Sequence, residues 1–355
     1  MNRFVWFGRQ SPSLWLTVVL LLAFVWSVQL GAMPVLGSDW LVLPKLIGWF
    51  GLSSSLDPAT PGANVLFSLR LPRVLLAGLV GASLGLSGAL TQSLFRNPLA
   101  EPGLLGVNAG AACGAALTIV IFSQASLTFM PGLRLWLLPI ASFAGALAVC
   151  ISLNQTARWI APGSISALLL TGIAMNALAG AVIGLCTYFA NDEQLRSLAF
   201  WTLGSLAGAR WEWVGLFAGI LLTGYCQLRR RAQDLNALAL GESVACQVGV
   251  DIQRLRKQII VWVALLSGTA VAFCGMIGFV GLIAPHLVRL WIGPDQRLVL
   301  PLSLLSGAFL LVVADTLARV VAIPAEIPVG IFTALLGGPF FFLLVRQVRR
   351  QIGQM

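Results

Sequence analysis

Gln258-Ile-Ile-Val-Trp-Val-Ala-Leu-Leu-Ser-Gly-Thr-Ala-Val-Ala-Phe-Cys-Gly-Met-Ile-Gly-Phe-Val-Gly-Leu-Ile-Ala-Pro-His-Leu-Val288 contains no Asp, Glu, Lys or Arg. A helix that crosses a membrane takes about 20 apolar residues, so this run is overlong for one crossing and short for two. Gly275, Gly278, Gly281 and Pro285 break up its second half, which favours a division there. Positive charge decides the matter, because Lys and Arg gather on the cytoplasmic side. Arg229, Arg230, Arg231, Arg254, Arg256 and Lys257 precede the run, and Arg346, Arg349 and Arg350 follow it. Both groups share one side only if an even number of spans separates them. Dividing the run gives four spans, at about 257–274, 279–291, 297–320 and 328–345. Leaving it whole gives three and strands the tail outside.

Working outward, the other charge-poor stretches place spans at about 13–33, 71–93, 99–122, 134–153, 163–190 and 211–229. The sequence thus predicts an all-α polytopic membrane protein, one domain over 1–355, with about ten transmembrane helices and both termini cytoplasmic. Residues 13–33 read as a retained anchor, since Leu30-Gly31-Ala32 is a poor cleavage site.

Composition agrees. Of 355 residues, 58% are hydrophobic and 10% charged, against about 25% charged in a soluble domain. This excludes an ordinary cytosolic enzyme, and disorder as well. In a soluble chain the net charge of +10 would suggest nucleic acid. Here the charges lie between apolar runs, so they read as membrane orientation, with lipid and not nucleic acid as the surrounding partner.

The chemistry that is missing narrows the function. One histidine cannot build a multi-histidine metal centre, and no two of the six cysteines form C-x-x-C. The cysteines read as packing residues, and no metal ligand set is expected. No Gly-Lys dipeptide occurs, so there is no phosphate-cradling P-loop. Gly81-Ala-Ser-Leu-Gly85 fits G-x-S-x-G formally, but that motif needs a strand-to-helix turn and this one lies in an apolar helical stretch. No catalytic residue is predicted. His286 reads as a structural, hydrogen-bonded histidine. Asp315 and Arg319 are spaced to pair on one helix face. Gly81 with Gly85, and Gly106, Gly110 and Gly114, put small residues on one side of a helix, where they permit close packing in lipid.

Two loops stand out. Residues 34–68, with Trp40, Trp49, Pro44, Pro58 and Pro61, suit an interfacial segment on the outer side. Residues 232–252 are moderately apolar and interrupted by Gly241 and Gly249. Two short helices fit there, either as a partner surface or as a hairpin resting on the membrane. These features describe a polytopic protein without its own energy source. A channel, a secondary transporter and a transporter subunit all remain, although a secondary transporter usually needs more titratable groups at the midplane.

Longer strings go further. Leu69-Arg-Leu-Pro-Arg73, Asn97-Pro-Leu-Ala-Glu-Pro-Gly-Leu-Leu-Gly106, Leu240-Gly-Glu242, Gly278-Phe-Val-Gly-Leu-Ile-Ala-Pro-His286, Ala314-Asp-Thr-Leu-Ala-Arg319 and Glu326-Ile-Pro-Val-Gly330 resemble the FecCD family over about residues 14–345. These are permease subunits of type II ABC importers for iron chelates and cobalamin. The resemblance implies a pair of permeases, here expected as a homodimer, above two ATPase subunits that hold ATP and Mg, with no cofactor bound by this chain. A periplasmic binding protein would deliver the substrate at the bacterial inner membrane. It implies a cytoplasmic gate at Asn97, Leu99, Ile165 and Ser166. It implies ATPase coupling through 234–250, with Leu240, Gly241, Glu242, Ala245 and Gly249, and binding-protein docking at Arg70, Arg73 and Arg319. Arg70 and Arg73 also suit simple anchoring in headgroups, and Asn97-Pro98 suits a helix-ending turn. The implied cargo is haem or a ferric siderophore, with cobalamin as the alternative. A passive channel or a receptor's membrane anchor is the reading from another class.

Overall fold

The computed structural model describes residues 12–31, 33, 39–40, 61–121, 131–161, 164–323 and 325–352. Most of the predicted interfacial segment 34–68, and Pro162-Gly163 beside the second gate pair, lie outside them. Among the described residues the chain is helical and contains no strand. The helices are α1 (Pro12–Gln29), α2 (Pro61–Phe95), α3 (Val107–Val120), α4 (Pro131–Ile160), α5 (Ile165–Phe189), α6 (Asp192–Thr202), α7 (Trp211–Arg230), α8 (Ala232–Leu240), α9 (Glu242–Gln247), α10 (Ile252–Cys274), α11 (Val280–Ile292), α12 (Gln296–Val320) and α13 (Val329–Ile352).

A helix stands at each of the ten predicted segments, and the run 258–288 is divided: α10 ends at Cys274 and α11 starts at Val280. Among the described residues six helices are long and apolar enough to cross a membrane: α1, α2, α4 (over Leu135–Ile160), α5, α10 and α12. The chain is a multi-pass membrane protein. α3, α11 and the apolar part of α13 are shorter, and irregular segments precede α3 and α11. Backbone of that kind survives at membrane depth only where protein buries it, and here it is buried. Pro102 and Leu105 are inaccessible in the 3-10 turn before α3. The Ser205 N–H donates to the Cys274 carbonyl at 2.8 Å, and the Gly330 N–H to the Leu203 carbonyl at 3.1 Å.

Several boundaries differ from the sequence reading. α2 begins ten residues before the predicted position 71 and passes through a π-helical turn at Leu66–Arg70 just before Pro72. A proline has no N–H to donate, and the wider turn accommodates the break. α3 starts at Val107 and not near 99, because Pro102–Leu105 and the left-handed Gly106 (φ +75°) delay it. α6 was not expected. Asn191 caps it by accepting from the Gln194 N–H at 2.9 Å, and the Gln194 side chain accepts from the Asn191 N–H at 3.0 Å. That reciprocal pair is a helix-start signal readable in Asn191-Asp-Glu-Gln194.

Both predicted small-residue faces are close helix contacts. A Cβ at Gly81 would run into the Gly307 carbonyl of α12, and one at Gly85 into the Ser303 carbonyl. Gly110 and Gly114 meet Gly145 and Ala141 of α4 in the same way. We expect Gly85→Leu to be disruptive, at or above the roughly 1–3 kcal/mol of ordinary overpacking, because backbone cannot step aside as a side chain can. Gly215, on α7, has nothing within 4 Å of its Cβ position. Melting curves of the detergent-purified variants should show a large drop for Gly85→Leu and almost none for Gly215→Leu.

Candidate functional site

The chain carries polar constellations at two opposite ends. The first gathers around the start of α2 and the end of α12. Arg73 reaches Asp315 at 2.9 Å and Glu326 at 2.8 Å, and Arg319 reaches the same Asp315 at 3.2 Å. Arg319 also donates to the Ser27 hydroxyl at 2.8 Å and to the Ser27 carbonyl at 3.2 Å. Arg70 donates to the carbonyls of Val28 (3.0 Å), Gln29 (3.3 Å) and Met33. A helix leaves its last carbonyls unsatisfied, and Arg70 and Arg319 supply donors for those of α1. The three arginines implied for docking therefore do converge, and Arg73 does have acidic neighbours, though distant in sequence. Their guanidiniums are engaged within the chain. Arg70 and Arg319 are buried, and the Arg73 side chain keeps 11% exposure.

The second constellation lies around α8 and α9. These are the two short helices anticipated in 232–252. Leu235, Leu238 and Ala245 are buried beneath them, whereas Leu240 and Val248 are 74% and 65% exposed. The turn between them is Gly241 at φ +125°, and Gly249 at φ +83° closes α9. Nothing lies within 4 Å of a Cβ at either glycine. The demand for glycine is thus one of backbone conformation, not of space. Glu242 contacts Arg256 of α10 at 2.6 Å and Arg96 at 3.4 Å. Arg96 is the left-handed residue (φ 48°) that ends α2. One carboxylate therefore joins the α8–α9 turn to the end of α2.

Asn97 comes next. Its side-chain oxygen accepts from the Leu99 N–H at 2.9 Å, a turn that stops the helix as Pro98 requires. Leu99 packs with Leu282, Ile283 and Leu344. Ile165 packs against a different apolar cluster, and Ser166 is exposed at the start of α5. Among the described residues the two halves of the implied gate thus pack on different apolar clusters.

Sequence reasoning missed Arg96, Arg256 and Asn236. The Asn236 amide donates to Asp295 at 2.7 Å, and its oxygen accepts from the Gln296 N–H at 2.8 Å. This ties α8 to the start of α12. The Asn236 hydrogen bond, with the Arg297 N–H, holds the Asp295 carboxyl below the usual aspartate range. The stabilisation is complete above the ordinary aspartate pKa and is lost as pH falls through the depressed one. Glu101 belongs to the string Asn97–Gly106. With Asn108, Asn176 and Met276 it lines a cavity of about 470 Å³. His286 corrects another expectation. Neither ring nitrogen has a hydrogen-bond partner among the described residues, and the ring lies edge-on to Phe340 with centroids 5.8 Å apart.

The ionic cluster sets a clear expectation. Removing one member of a buried pair strands the other charge, at about 3–5 kcal/mol, whereas an exposed pair contributes about 0–1 kcal/mol. Asp315 is 1% exposed and Glu326 47%. Thermal unfolding should show Asp315→Asn strongly destabilised and Glu326→Gln nearly unchanged.

Comparison with known proteins places this geometry. The chain is 41% identical over 345 residues to the hemin transport system permease protein HmuU of Yersinia pestis, covering 97% of this chain and 98% of that one. It is 37% identical over 359 residues to the vitamin B12 import system permease protein BtuC of Salmonella arizonae, covering 98% and 100%. A solved inward-facing conformation of a metal-chelate type ABC transporter superposes with a TM-score of 0.77 at 32% identity, covering 94% of this chain and 98% of that one. PsaBC from Streptococcus pneumoniae shares the fold alone, at 17% identity and a TM-score of 0.54 over 79% of this chain and 92% of that one. The profile of the FecCD transport family matches residues 17–347, and the chain belongs to that family.

Proposed function

We infer that this chain is the permease subunit of an ATP-driven importer that carries an iron chelate, haem or a ferric siderophore, from the periplasm to the cytoplasm across the bacterial inner membrane. The observation that carries the reading is the Gly241 turn, exposed on one side through Leu240 and fastened on the other to α2 and α10 through Glu242. Such a turn can receive motion from a partner and pass it to helix ends. The importer relatives support the cargo class. Cobalamin is the second reading, favoured by the vitamin B12 permeases among them.

On this reading the ten predicted segments all cross the membrane and both termini are cytoplasmic. Two copies pair around the substrate path, and the chain holds no cofactor. A separate ATPase, with its ATP and Mg, seats against Leu240, Gly241, Glu242, Ala245 and Gly249. The chain performs no chemistry on its cargo or on ATP. ATP binding by the partner favours one arrangement of the permease pair, which is all that coupling requires, and the helices shift as packed bodies. Glu242 hands the shift to Arg96, beside Asn97 and Leu99, which close the inner mouth with Ile165 and Ser166. At the other end the binding protein meets the rim marked by Arg73 and Glu326, where its carboxylates compete for Arg73. Arg70 and Arg319 hold that rim in place from beneath.

Gly241→Val tests the coupling turn. The strain is in the backbone alone, since a β-branched residue at positive φ is an outlier. We expect normal folding and at least a tenfold loss of ATPase affinity in pull-down titrations; unchanged affinity and unchanged uptake would remove this turn from the coupling path. The function itself is tested by uptake into proteoliposomes with the cognate ATPase and binding protein, comparing haem, ferric siderophores and cobalamin. ATP-dependent accumulation of an iron chelate is the expected result. Accumulation of cobalamin alone would shift the assignment to the second reading, and ATP-independent flux would mark a channel.

A further inference from the structure

A cavity of about 470 Å³ opens where the end of α4, the start of α5 and the first turns of α10 meet. Its charged lining is mostly cationic. Arg158 comes from α4, and Arg254, Arg256 and Lys257 come from α10. Asp251 is the carboxylate among the lining residues, so four positive charges face one negative charge. Asp251 is already engaged as the cap of α10, accepting from the Arg254 N–H at 3.0 Å. Among the described residues no carboxylate forms an ion pair with Arg158, Arg254 or Lys257. Charges of one sign collected in a concavity focus their field outward and draw in a counter-ion. Ser164 adds a hydroxyl, whose oxygen caps α5 by accepting from the Ala167 N–H at 3.2 Å.

Apolar residues share the lining, with Ala157 on α4, Leu168 on α5 and Ile260 on α10. Trp159 and Ile160 follow Arg158 on α4 and are 87% and 60% exposed. Tryptophan marks the headgroup level of a bilayer. α4, α5 and α10 are three of the six helices fit to cross a membrane, and the cavity sits at their adjoining ends. A soluble anion would use only the cationic residues. A molecule with a phosphate at one end and hydrocarbon at the other uses both.

We propose that this pocket binds the phosphate headgroup of an anionic phospholipid, held by Arg158, Arg254 and Lys257 with its glycerol end against Ala157, Leu168 and Ile260. Basic pockets between transmembrane helices take acidic headgroups by this charge arrangement. The site borders the coupling turn, since Arg256 lines it and also contacts Glu242 at 2.6 Å. A phosphate there competes with Glu242 for the same guanidinium, so lipid charge bears on how firmly the α8–α9 turn is held. The binding itself rests on the multi-pass membrane assignment and not on the cargo.

The test uses the full-length chain, delipidated in detergent and titrated with phosphatidylglycerol, phosphatidylcholine or inorganic phosphate. Bound lipid is counted by native mass spectrometry, and melting temperature is followed in parallel. We expect the wild type to retain phosphatidylglycerol at least tenfold more tightly than phosphatidylcholine, and to melt higher with it. R158Q/R254Q/K257Q should lose that preference, while R196Q/R210Q, whose arginines lie outside the pocket, should keep it. Equal melting of the wild type and the triple variant in phosphatidylcholine would show that the loss is one of binding and not of folding. Retention unchanged in the triple variant overturns the proposal. So does displacement of the lipid by equimolar inorganic phosphate, which would make the pocket a site for a soluble anion.

Discussion

Helices inside a bilayer gain nothing from leaving one apolar medium for another, so they adhere by contact and by the few polar bonds they can complete. In this protein that constraint is met along α2 and α12. Gly81 and Gly85 let α2 lie directly on the Gly307 and Ser303 backbone. The same two helices carry the polar groups at each end. At one end Arg73 joins Asp315 and Arg319; at the other Arg96 and Gln296 receive Glu242 and Asn236 from the short helices. The pair works as a spine whose stiffness comes from backbone contact and whose ends are fixed by charge.

That arrangement separates rigid from adjustable parts. Asp315 is buried and shared between two guanidiniums, which fixes the centre of the ionic cluster, while Glu326 is its open edge. The α8–α9 turn is fastened by Glu242, half open to solvent and placed between Arg96 and Arg256 at 3.4 and 2.6 Å. A contact of that kind shifts at little cost. On the proposed function, motion received at the turn would be expressed at the end of α2 without disturbing the far end.

Much of this was legible in the sequence because membrane helices are read from length, breakers and charge. The division of 258–288 followed from glycine spacing and arginine placement, and the structure bears it out. The glycine faces were legible as faces, but their partners were not, since spacing carries no information about which helix lies opposite. The same limit explains Arg73. Its carboxylates stand at 315 and 326, and no local pattern links them to it. The failure at α3 has a different origin. A charge-free window cannot tell helix from a buried 3-10 turn, and Pro102 with the left-handed Gly106 was the available signal. His286 was misjudged because a buried histidine is normally satisfied, and here it lies against an aromatic edge.

The charges of α12 also have a history in time. Asp or Arg costs about 2.5–3.5 kcal/mol at the centre of an inserting helix and less towards its ends, and α12 carries Asp315 and Arg319 together in its last two turns. Their spacing lets each neutralise part of the other within the entering segment. Ser27 and the carbonyls at the end of α1 complete the set for Arg319, and Arg73 of α2 completes it for Asp315. Synthesis runs from the N-terminus, so α1 and α2 are made well before α12 emerges. The order of the chain thus has receptors waiting in the bilayer for the two most costly side chains of a late segment, and biogenesis depends on the first two helices remaining nearby until it arrives.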